Sequence, residues 1–315
     1  MRAKKKEAVF KTCKSDKNGI ALLITVFFVM AITVAIGIGL RQVKEASMHV
    51  EGERFMLQTS MILDDVLNIL QTSKELDQVL TRKSSEAFFL FLSSVSFIPF
   101  QTSNLKVSIE IKSARSKFNP NSLMDGNKTI ARTDVLREYV SKNMVNREYV
   151  NILLDVMGKI KEDESYNSAI FNEKPSLFRD YLVSQKHLDE VNDFYMKTYH
   201  DNNLKNIDFK NLFYFSKNRD EKIDLNYATP QTWEMILMCD KGRAEQLSLG
   251  GGTYNTLESL NLNDEEKVAL SKFNTSFFEP YLDVLVEISQ ESQSTKIKFE
   301  YDISTKKGSN FVYEI

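Results

Sequence analysis

The pattern of apolar and polar positions divides the chain into an apolar run, a helical middle and a β-rich end. Residues 20–40 are uncharged and lie between Lys17 and Arg41. A helix of that length rises roughly 31 Å, which matches the hydrocarbon core of a bilayer. The run therefore predicts a membrane-spanning helix.

Beyond this run, apolar residues recur at three- and four-residue spacing. They are Phe55, Ile62, Leu63, Val66, Leu67 and Leu70. This period predicts an amphipathic stalk helix with one apolar stripe. The apolar stretch at 87–100 is too short and too interrupted to span a membrane, so it predicts a buried strand or a short helix.

Strict alternation of apolar and polar residues predicts half-buried strands on both sides of the helical middle. The alternating segments are 106–112, 283–289, 295–303 and 310–315. Lysines and a glycine at 304–309 predict a hairpin turn between the last two strands. Because the strands share one period, we expect them to meet in one antiparallel sheet.

The middle of the chain, about 116–280, has mainly helical patterns, including a third and a fourth helix within 174–199. It also contains two similar segments. Their matching positions are Asn119, Asn121 and Leu123 in the first box, and Asp224, Asn226 and Ala228 in the second box. After the second box, Asn226 and Thr229 can cap a helix that opens with Pro230. With the helix after the turn at 240–242, this segment is similar to a helix-hairpin-helix or SAM-like unit.

The charge is asymmetric, although the total is only −2. Residues 1–19 carry seven basic and two acidic residues, which leaves a net of −7 on the rest of the chain. A basic flank stays on the cytoplasmic side of a spanning helix, so we expect the acidic remainder across the membrane. The alternative, that the basic residues bind nucleic acid or solvate a tail, ignores the adjoining apolar run.

Residue types give no sign of an active site. Cys13 and Cys239 are the only cysteines, which leaves no internal disulfide, zinc pattern or redox pair beyond the membrane. No histidine stands in a metal-ligand spacing, and we expect His187 on the surface of an amphipathic helix. The glycine-rich segment 249–254 lacks a Walker lysine and predicts a flexible loop between helices. We therefore expect no enzymatic activity.

We also expect no cofactor. The acidic and amide clusters at 161–165 and 200–203 match no twelve-residue calcium loop, so solvated loops are the better interpretation. Calcium binding stays open, with no site assigned.

The sequence "KNGIALLI" at the polar edge of the apolar run resembles the type III signal of type IV pilins and pseudopilins. The resemblance implies that prepilin peptidase cleaves between Gly19 and Ile20, and that the new amino group of Ile20 is methylated. Two alternatives stay open. One is a secretory signal peptide cut near residue 37, and the other is an ordinary single-span anchor.

The fifth residue after that cleavage site is Ile24, where most pilin-like proteins carry glutamate. In the assembled fibre, as the resemblance implies, this glutamate pairs with the terminal ammonium of the subunit added before it. The pairing offsets the cost of two charges in apolar surroundings. A tip subunit has no such ammonium above it, so an isoleucine suits that position.

Over nearly the whole chain, the sequence resembles the type II secretion minor pseudopilin K family. The features that carry the resemblance are, in order, the leader, Ile24, the two boxes and the closing strands. Asp224 and Tyr227 replace the family's usual asparagine and threonine. The resemblance implies an α+β fold with a long transmembrane and stalk helix, a small antiparallel pseudopilin sheet and a large inserted all-α domain. The expected divisions are a leader at 1–19, a spanning helix at 20–40, stalk and first sheet segment at 41–115, the insertion at 116–280 and closing strands at 281–315.

The function that this resemblance implies is that of a minor pseudopilin at the pseudopilus tip, which initiates or caps assembly for protein export across the outer membrane. The implied partners are minor pseudopilins I and J, the major pseudopilin and prepilin peptidase. The implied location is the inner membrane, with a single pass, a cytoplasmic N-terminus and a periplasmic body.

Two other functions stay open, a minor pilin of a type IV pilus and a membrane-tethered DNA receptor that would use the hairpin at 224–247. Phosphate binding requires net basic groups, whereas residues 221–275 hold more acidic than basic residues. We therefore expect no nucleic-acid binding.

Overall fold

The computed structural model describes residues 37–38, 41, 50, 52–101, 105–126, 129–161, 165–290 and 293–314. The chain divides into two compact units, Met1–Met61 and Ile62–Ile315. In the first unit, residues 52–61 are helical. Most of the predicted leader and spanning helix lies outside the described residues, and within the described residues no helix is both long and apolar enough to cross a membrane.

The second unit opens with three helices, α1 (62–72), α2 (Lys74–Arg82) and α3 (Ser85–Val95). Helix α1 buries Leu63, Val66 and Leu70, which belong to the predicted stripe. Ser73 and Ser84 begin α2 and α3 as N-caps, because each side chain accepts a backbone N–H of the first turn.

Within the described residues, seven strands follow the helical opening. Their bounds are β1 Phe97–Gln101, β2 Lys106–Ser113, β3 Ile223–Asp224, β4 Thr275–Ser276, β5 Tyr281–Gln290, β6 Gln293–Asp302 and β7 Lys307–Glu314. Five of them form one antiparallel sheet in the order β1-β2-β5-β6-β7, while β3 and β4 pair separately and in parallel. The predicted single antiparallel sheet and the α+β class are confirmed for the described residues.

Alternation along β5 and β6 decides which sheet face is buried. The residues from Leu282 to Ile288 and from Thr295 to Tyr301 are buried at every second position. The other face carries cross-strand ion pairs, such as Lys298 with Asp283 at 3.0 Å. The predicted hairpin turn lies between β6 and β7. It is shorter than predicted, because β7 already begins at Lys307.

The apolar stretch at 87–100 contains both a helix and a strand. Helix α3 buries Phe88, Phe91 and Leu92, whereas every residue of β1 is exposed. The prediction of a buried strand or a short helix is therefore wrong for the end of the stretch. The physical reason is that β1 is an edge strand with one neighbour.

Between the adjacent strands β2 and β5 the chain leaves the sheet and forms a helical layer. Its helices are α4 Thr129–Lys142, α5 Glu148–Met157, α6 Ile170–Glu173, α7 Gln185–Tyr199, α8 Phe209–Leu212, α9 Pro230–Leu237, α10 Lys241–Leu249 and α11 Asp264–Ser271. They surround an apolar core that includes the fully buried Trp233. Of the helices predicted within 174–199, α7 is present, while 174–184 has no helix.

The glycine-rich segment is the predicted loop between helices, and its glycines allow close packing. A Cβ atom on Gly251 would lie 2.3 Å from the carbonyl oxygen of Asn226. Gly252 has φ +84°, and a Cβ atom there would lie 2.2 Å from the ring of Phe89 in α3. These positions accept only glycine without a local shift.

Gly251→Ala should therefore lower the free energy of unfolding by about 2 kcal/mol, because a backbone oxygen cannot move aside as a side chain can. Urea unfolding followed by the fluorescence of Trp233, the single tryptophan, measures this. Gly126→Ala is the control, since a Cβ atom on Gly126 meets nothing within 4 Å. Equal losses in the two variants would contradict the packing argument.

Candidate functional site

The two boxes found in the sequence lie at the start and in the second half of the helical layer, and they share one turn geometry. In the first box, the Asn119 side chain accepts the N–H of Asn121 at 3.1 Å. In the second, the Asp224 side chain accepts the N–H of Asn226 at 3.0 Å. Each first residue thus closes a turn onto the residue two positions later.

The second asparagine of each box binds a distant backbone segment. Asn121 accepts the N–H of Leu182 at 2.7 Å and donates to the carbonyls of Leu182 and Ser216, both at 2.9 Å. Asn226 accepts the N–H of Tyr254 at 2.9 Å and donates to the carbonyls of Tyr254 at 2.8 Å and Phe277 at 2.7 Å. We call each three-bond arrangement an amide clamp.

The amide clamps fix the loops that adjoin α7 and α10. Leu182 precedes α7, and Tyr254 follows α10. The fifth residues of the boxes, Leu123 and Ala228, are both buried in the core. The second box also lies against the segment before the first box, because the Asp224 N–H donates to the carbonyl of Arg115 at 2.8 Å.

The difference between asparagine and aspartate in the two boxes follows from hydrogen-bond polarity. The Asn119 side-chain nitrogen Nδ2 donates to the carbonyls of Ser216 at 3.0 Å and Asn218 at 2.8 Å. This position therefore needs a donor, which asparagine has and aspartate lacks. The remaining oxygen of Asp224 accepts the N–H of Glu279 at 2.9 Å, so an acceptor is needed. Aspartate at 224 therefore suits its site better than asparagine would.

Asp224 is a fully buried carboxyl group. Burial raises its pKa to about 7, and the nearby charge of Glu279 acts in the same direction. The two backbone N–H groups that it accepts act to lower its pKa, but burial outweighs them. The Asp224 carboxyl group therefore holds its proton more strongly than an exposed aspartate does.

Tyr227 packs edge-to-face on Phe88 of α3 with ring centroids 5.3 Å apart. Its hydroxyl group has no hydrogen-bond partner among the described residues. The cap of α9 is Thr229, whose side chain accepts the N–H of Thr232. The prediction that Asn226 can also cap this helix is wrong, because its amide forms the clamp to Tyr254.

A buried cation that the sequence did not reveal joins the sheet to the helical layer. Arg115, just after β2, donates to both carboxylate oxygens of Glu300 in β6 and to Glu221 at 3.0 Å. Its guanidinium also lies 4.1 Å from the ring centroid of Tyr281. Glu221 and Glu300 stand 106 and 185 residues away along the chain, so no local pattern could indicate the cluster.

The charges in this cluster depend on one another. Burial acts to lower the pKa of Arg115, but its hydrogen bond to Glu300 and the nearby negative charges raise it above its usual value. Burial raises the pKa of Glu221, against the opposing effect of Arg115. The guanidinium therefore stays charged, and removing it would leave two largely buried carboxylates without a cation.

The hairpin considered for DNA binding is formed by α9, α10 and the turn between them. Asp240 caps α10 by accepting the N–H of Arg243 at 2.9 Å. A phosphate at this helix start would meet the Asp240 carboxylate instead of free N–H groups. This local charge disfavours phosphate binding at the hairpin.

His187 and the acidic cluster at 200–203 make contacts within the fold. His187 is buried on the core side of α7, so the prediction of a surface position is wrong. The Asp201 carboxylate in the cluster at 200–203 accepts from Tyr195 at 2.6 Å, Asn146 at 3.2 Å and Asn203 at 3.0 Å. Among the described residues, no group of three His, Cys, Asp or Glu side chains is placed to hold a metal ion. Part of 161–165 lies outside them.

No protein-family model matches the chain, and no curated protein matches its sequence. Among solved structures, the crystal structure of the GspK-GspI-GspJ complex from the enterotoxigenic Escherichia coli type 2 secretion system aligns with a TM-score of 0.42 and 14% identity. The alignment covers 76% of this chain and 96% of that chain. At this TM-score it establishes no shared fold.

The predicted processing residues Gly19 and Ile20, and the predicted tip residue Ile24, lie outside the described residues. Their roles stay predictions. The boxes, by contrast, are described completely, and their spacing was the signal available in the sequence. Their clamp partners Leu182 and Tyr254 carried no such signal, because backbone groups of any residue type can fill that role.

Asn226→Ala should lower the free energy of unfolding by about 3 kcal/mol, because it leaves one N–H and two carbonyls buried without partners. Asn121→Ala should have a similar effect, since its clamp has the same three bonds. Asn172→Ala, at an exposed position of α6, is the control and should change little. Thermal unfolding followed by circular dichroism compares the three, and a harmless Asn226→Ala would refute the clamp.

Proposed function

We propose that this chain is a minor pseudopilin at the tip of a type II secretion pseudopilus, where it initiates or caps assembly for protein export across the outer membrane. One combined observation carries the proposal. A leader glycine and an apolar run without a fifth-position glutamate precede a small antiparallel sheet, and a helical layer with two equivalent boxes is inserted between the sheet's adjacent strands β2 and β5.

The proposed mechanism has three steps. Prepilin peptidase cleaves after Gly19, and the new N-terminus at Ile20 is methylated. The helix that follows packs with those of other minor pseudopilins, and Ile24 adds no unpaired carboxylate to this bundle. The helical layer then blocks the addition of a further subunit above it.

The proposed location follows from charge. The basic residues 1–19 stay in the cytoplasm, residues 20–40 cross the inner membrane once, and the body lies in the periplasm. The proposed partners are minor pseudopilins I and J, with the major pseudopilin added below them. In this role the chain recognises subunits and catalyses no reaction.

Gly19→Ala should block maturation, so that the variant keeps its leader while the wild type begins at Ile20. Intact mass and N-terminal sequencing of the purified membrane protein measure this. Gly37→Ala is the control and should mature normally. A wild-type N-terminus near residue 38 would instead indicate a secretory signal peptide, and an uncut wild type would indicate an ordinary anchor.

A further inference from the structure

The carboxyl group of Asp224 connects the helical layer to the sheet. One of its oxygens accepts the N–H of Asn226 in the second box at 3.0 Å, and the other accepts the N–H of Glu279 at 2.9 Å. Glu279 lies two residues before Tyr281, where β5 begins. A side chain of the second box thus holds the segment through which the chain returns to the sheet. We call the bond between the Asp224 carboxyl group and the Glu279 N–H the return contact.

The charges around the return contact leave Asp224 without a cation. The charged side chains at this junction are Glu279, Lys222, Arg115, Glu221 and Glu300. The half-exposed Lys222 lies 3.9 Å from Glu279, and the guanidinium of Arg115 binds the two remaining carboxylates. Within the described part of the chain, Asp224 bonds to backbone N–H groups, and the charge that acts on it is the negative one of Glu279.

Asp155 is a second fully buried aspartate, and its surroundings differ from those of Asp224. Its two oxygens accept four hydrogen bonds, from the backbone and side chain of Asn167 at 3.1 and 2.9 Å and from those of Ser168 at 2.7 and 2.8 Å. Asp224 accepts two and lies beside another carboxyl group. A negative charge is therefore compensated much less on Asp224 than on Asp155.

Tyr227 also lies near Asp224 but brings no compensating charge. Burial and the charge of Asp224 raise the pKa of Tyr227, so its hydroxyl group stays neutral. An ionised Asp224 thus carries a desolvation cost and the repulsion of Glu279, and both decrease when Glu279 moves away or water enters. Either change exposes the return contact to solvent. The Asn226 N–H is held in addition by the amide clamp of its own side chain.

We propose that the return contact is a pH-dependent joint, closed while Asp224 holds a proton and open once its carboxyl group is ionised. The helices and the sheet keep their own folds, while the segment between Ser276 and Tyr281 detaches from the second box. The inference rests on the bonds and charges of this junction and not on the proposed function. Beyond that function, it makes pH a control on how firmly the helical layer is fixed to the sheet.

Hydrogen–deuterium exchange of the full-length chain in detergent micelles, at pH 5.5 and pH 8.5, tests the joint. Mass spectrometry with electron-transfer fragmentation gives the protection of the Glu279 amide, corrected for the intrinsic pH dependence of exchange. We expect this protection to fall by about tenfold or more, because the two pH values lie on either side of the folded-state pKa of Asp224, about 7. The Asn167 amide, bound to Asp155, is the control and should keep its protection.

Asp224→Asn gives a second readout. Its amide directs a donor at the Glu279 N–H, so this amide should be poorly protected at both pH values. Equal protection of Glu279 at both pH values in the wild type would overturn the joint. An equal fall at Asn167 would also overturn it, because the whole protein would then be opening. The same pH dependence in Asp224→Asn as in the wild type would assign the effect to another group and overturn the proposal. The two wild-type amides decide the matter even if the variant fails to fold.

Discussion

Arg115→Met should lower the free energy of unfolding by about 3–5 kcal/mol, because it leaves a buried charge cluster without its cation. In the folded protein the guanidinium binds both oxygens of Glu300 and one oxygen of Glu221. Methionine fills much of the same volume, so the loss reports charge rather than an empty cavity. Urea unfolding at neutral pH measures it.

Two companion variants separate the charge effect from packing. Arg115→Met combined with Glu221→Gln and Glu300→Gln should recover most of the lost stability, since no unpaired carboxylate remains. Arg137→Met, which removes an exposed pair with Asp134, should cost less than about 1 kcal/mol. If the triple variant were no more stable than Arg115→Met alone, charge would not explain the effect.

The stability of the wild type minus that of Asp224→Asn should fall by about 3 kcal/mol as the pH rises from 4 to 7. The Asp224 carboxyl has a folded-state pKa of about 7, above its ordinary value of 3.8. Its contribution is therefore fully present below the ordinary pKa and is lost as the pH rises through the folded-state pKa. The expected slope is about 1.4 kcal/mol per pH unit.

At pH 4 the wild type should be the more stable protein, because the asparagine amide would direct a donor at the N–H of Glu279. Chemical unfolding of both proteins at several pH values measures the difference. Asp134→Asn, at an exposed position of α4, is the control and should give a curve parallel to that of the wild type. Parallel curves for Asp224→Asn would show that Asp224 ionises normally in the folded protein.

Sequence patterns predicted the elements whose two faces differ. The sheet was predictable because β5 and β6 alternate between a buried face and a charged face. The segment 87–100 was not, because its apolar residues follow no period and occupy a buried helix face and an exposed edge strand alike. His187 was misplaced because a polar residue on an amphipathic helix indicates solvent, whereas α7 directs it toward the core.

The boxes show the same limit within one site. The equal spacing of Asn121 and Asn226 within their boxes was visible in the sequence, but their partners are backbone groups of remote loops. The Arg115 cluster unites residues from three distant segments and had no visible pattern at all. The amide clamps fix loops of the helical layer, and the Arg115 cluster joins this layer to the sheet. The proposed tip function requires a fixed helical layer to block further subunits.

The position of the chain in assembled fibres decides whether it is a tip subunit. Pseudopili sheared from cells that overproduce the major pseudopilin are labelled with gold-coupled antibody against the helical layer and viewed by electron microscopy. We expect gold at one end of each fibre, because Ile24 offers no carboxylate to the terminal ammonium of a subunit above it. Gold distributed along the shafts would contradict the tip assignment.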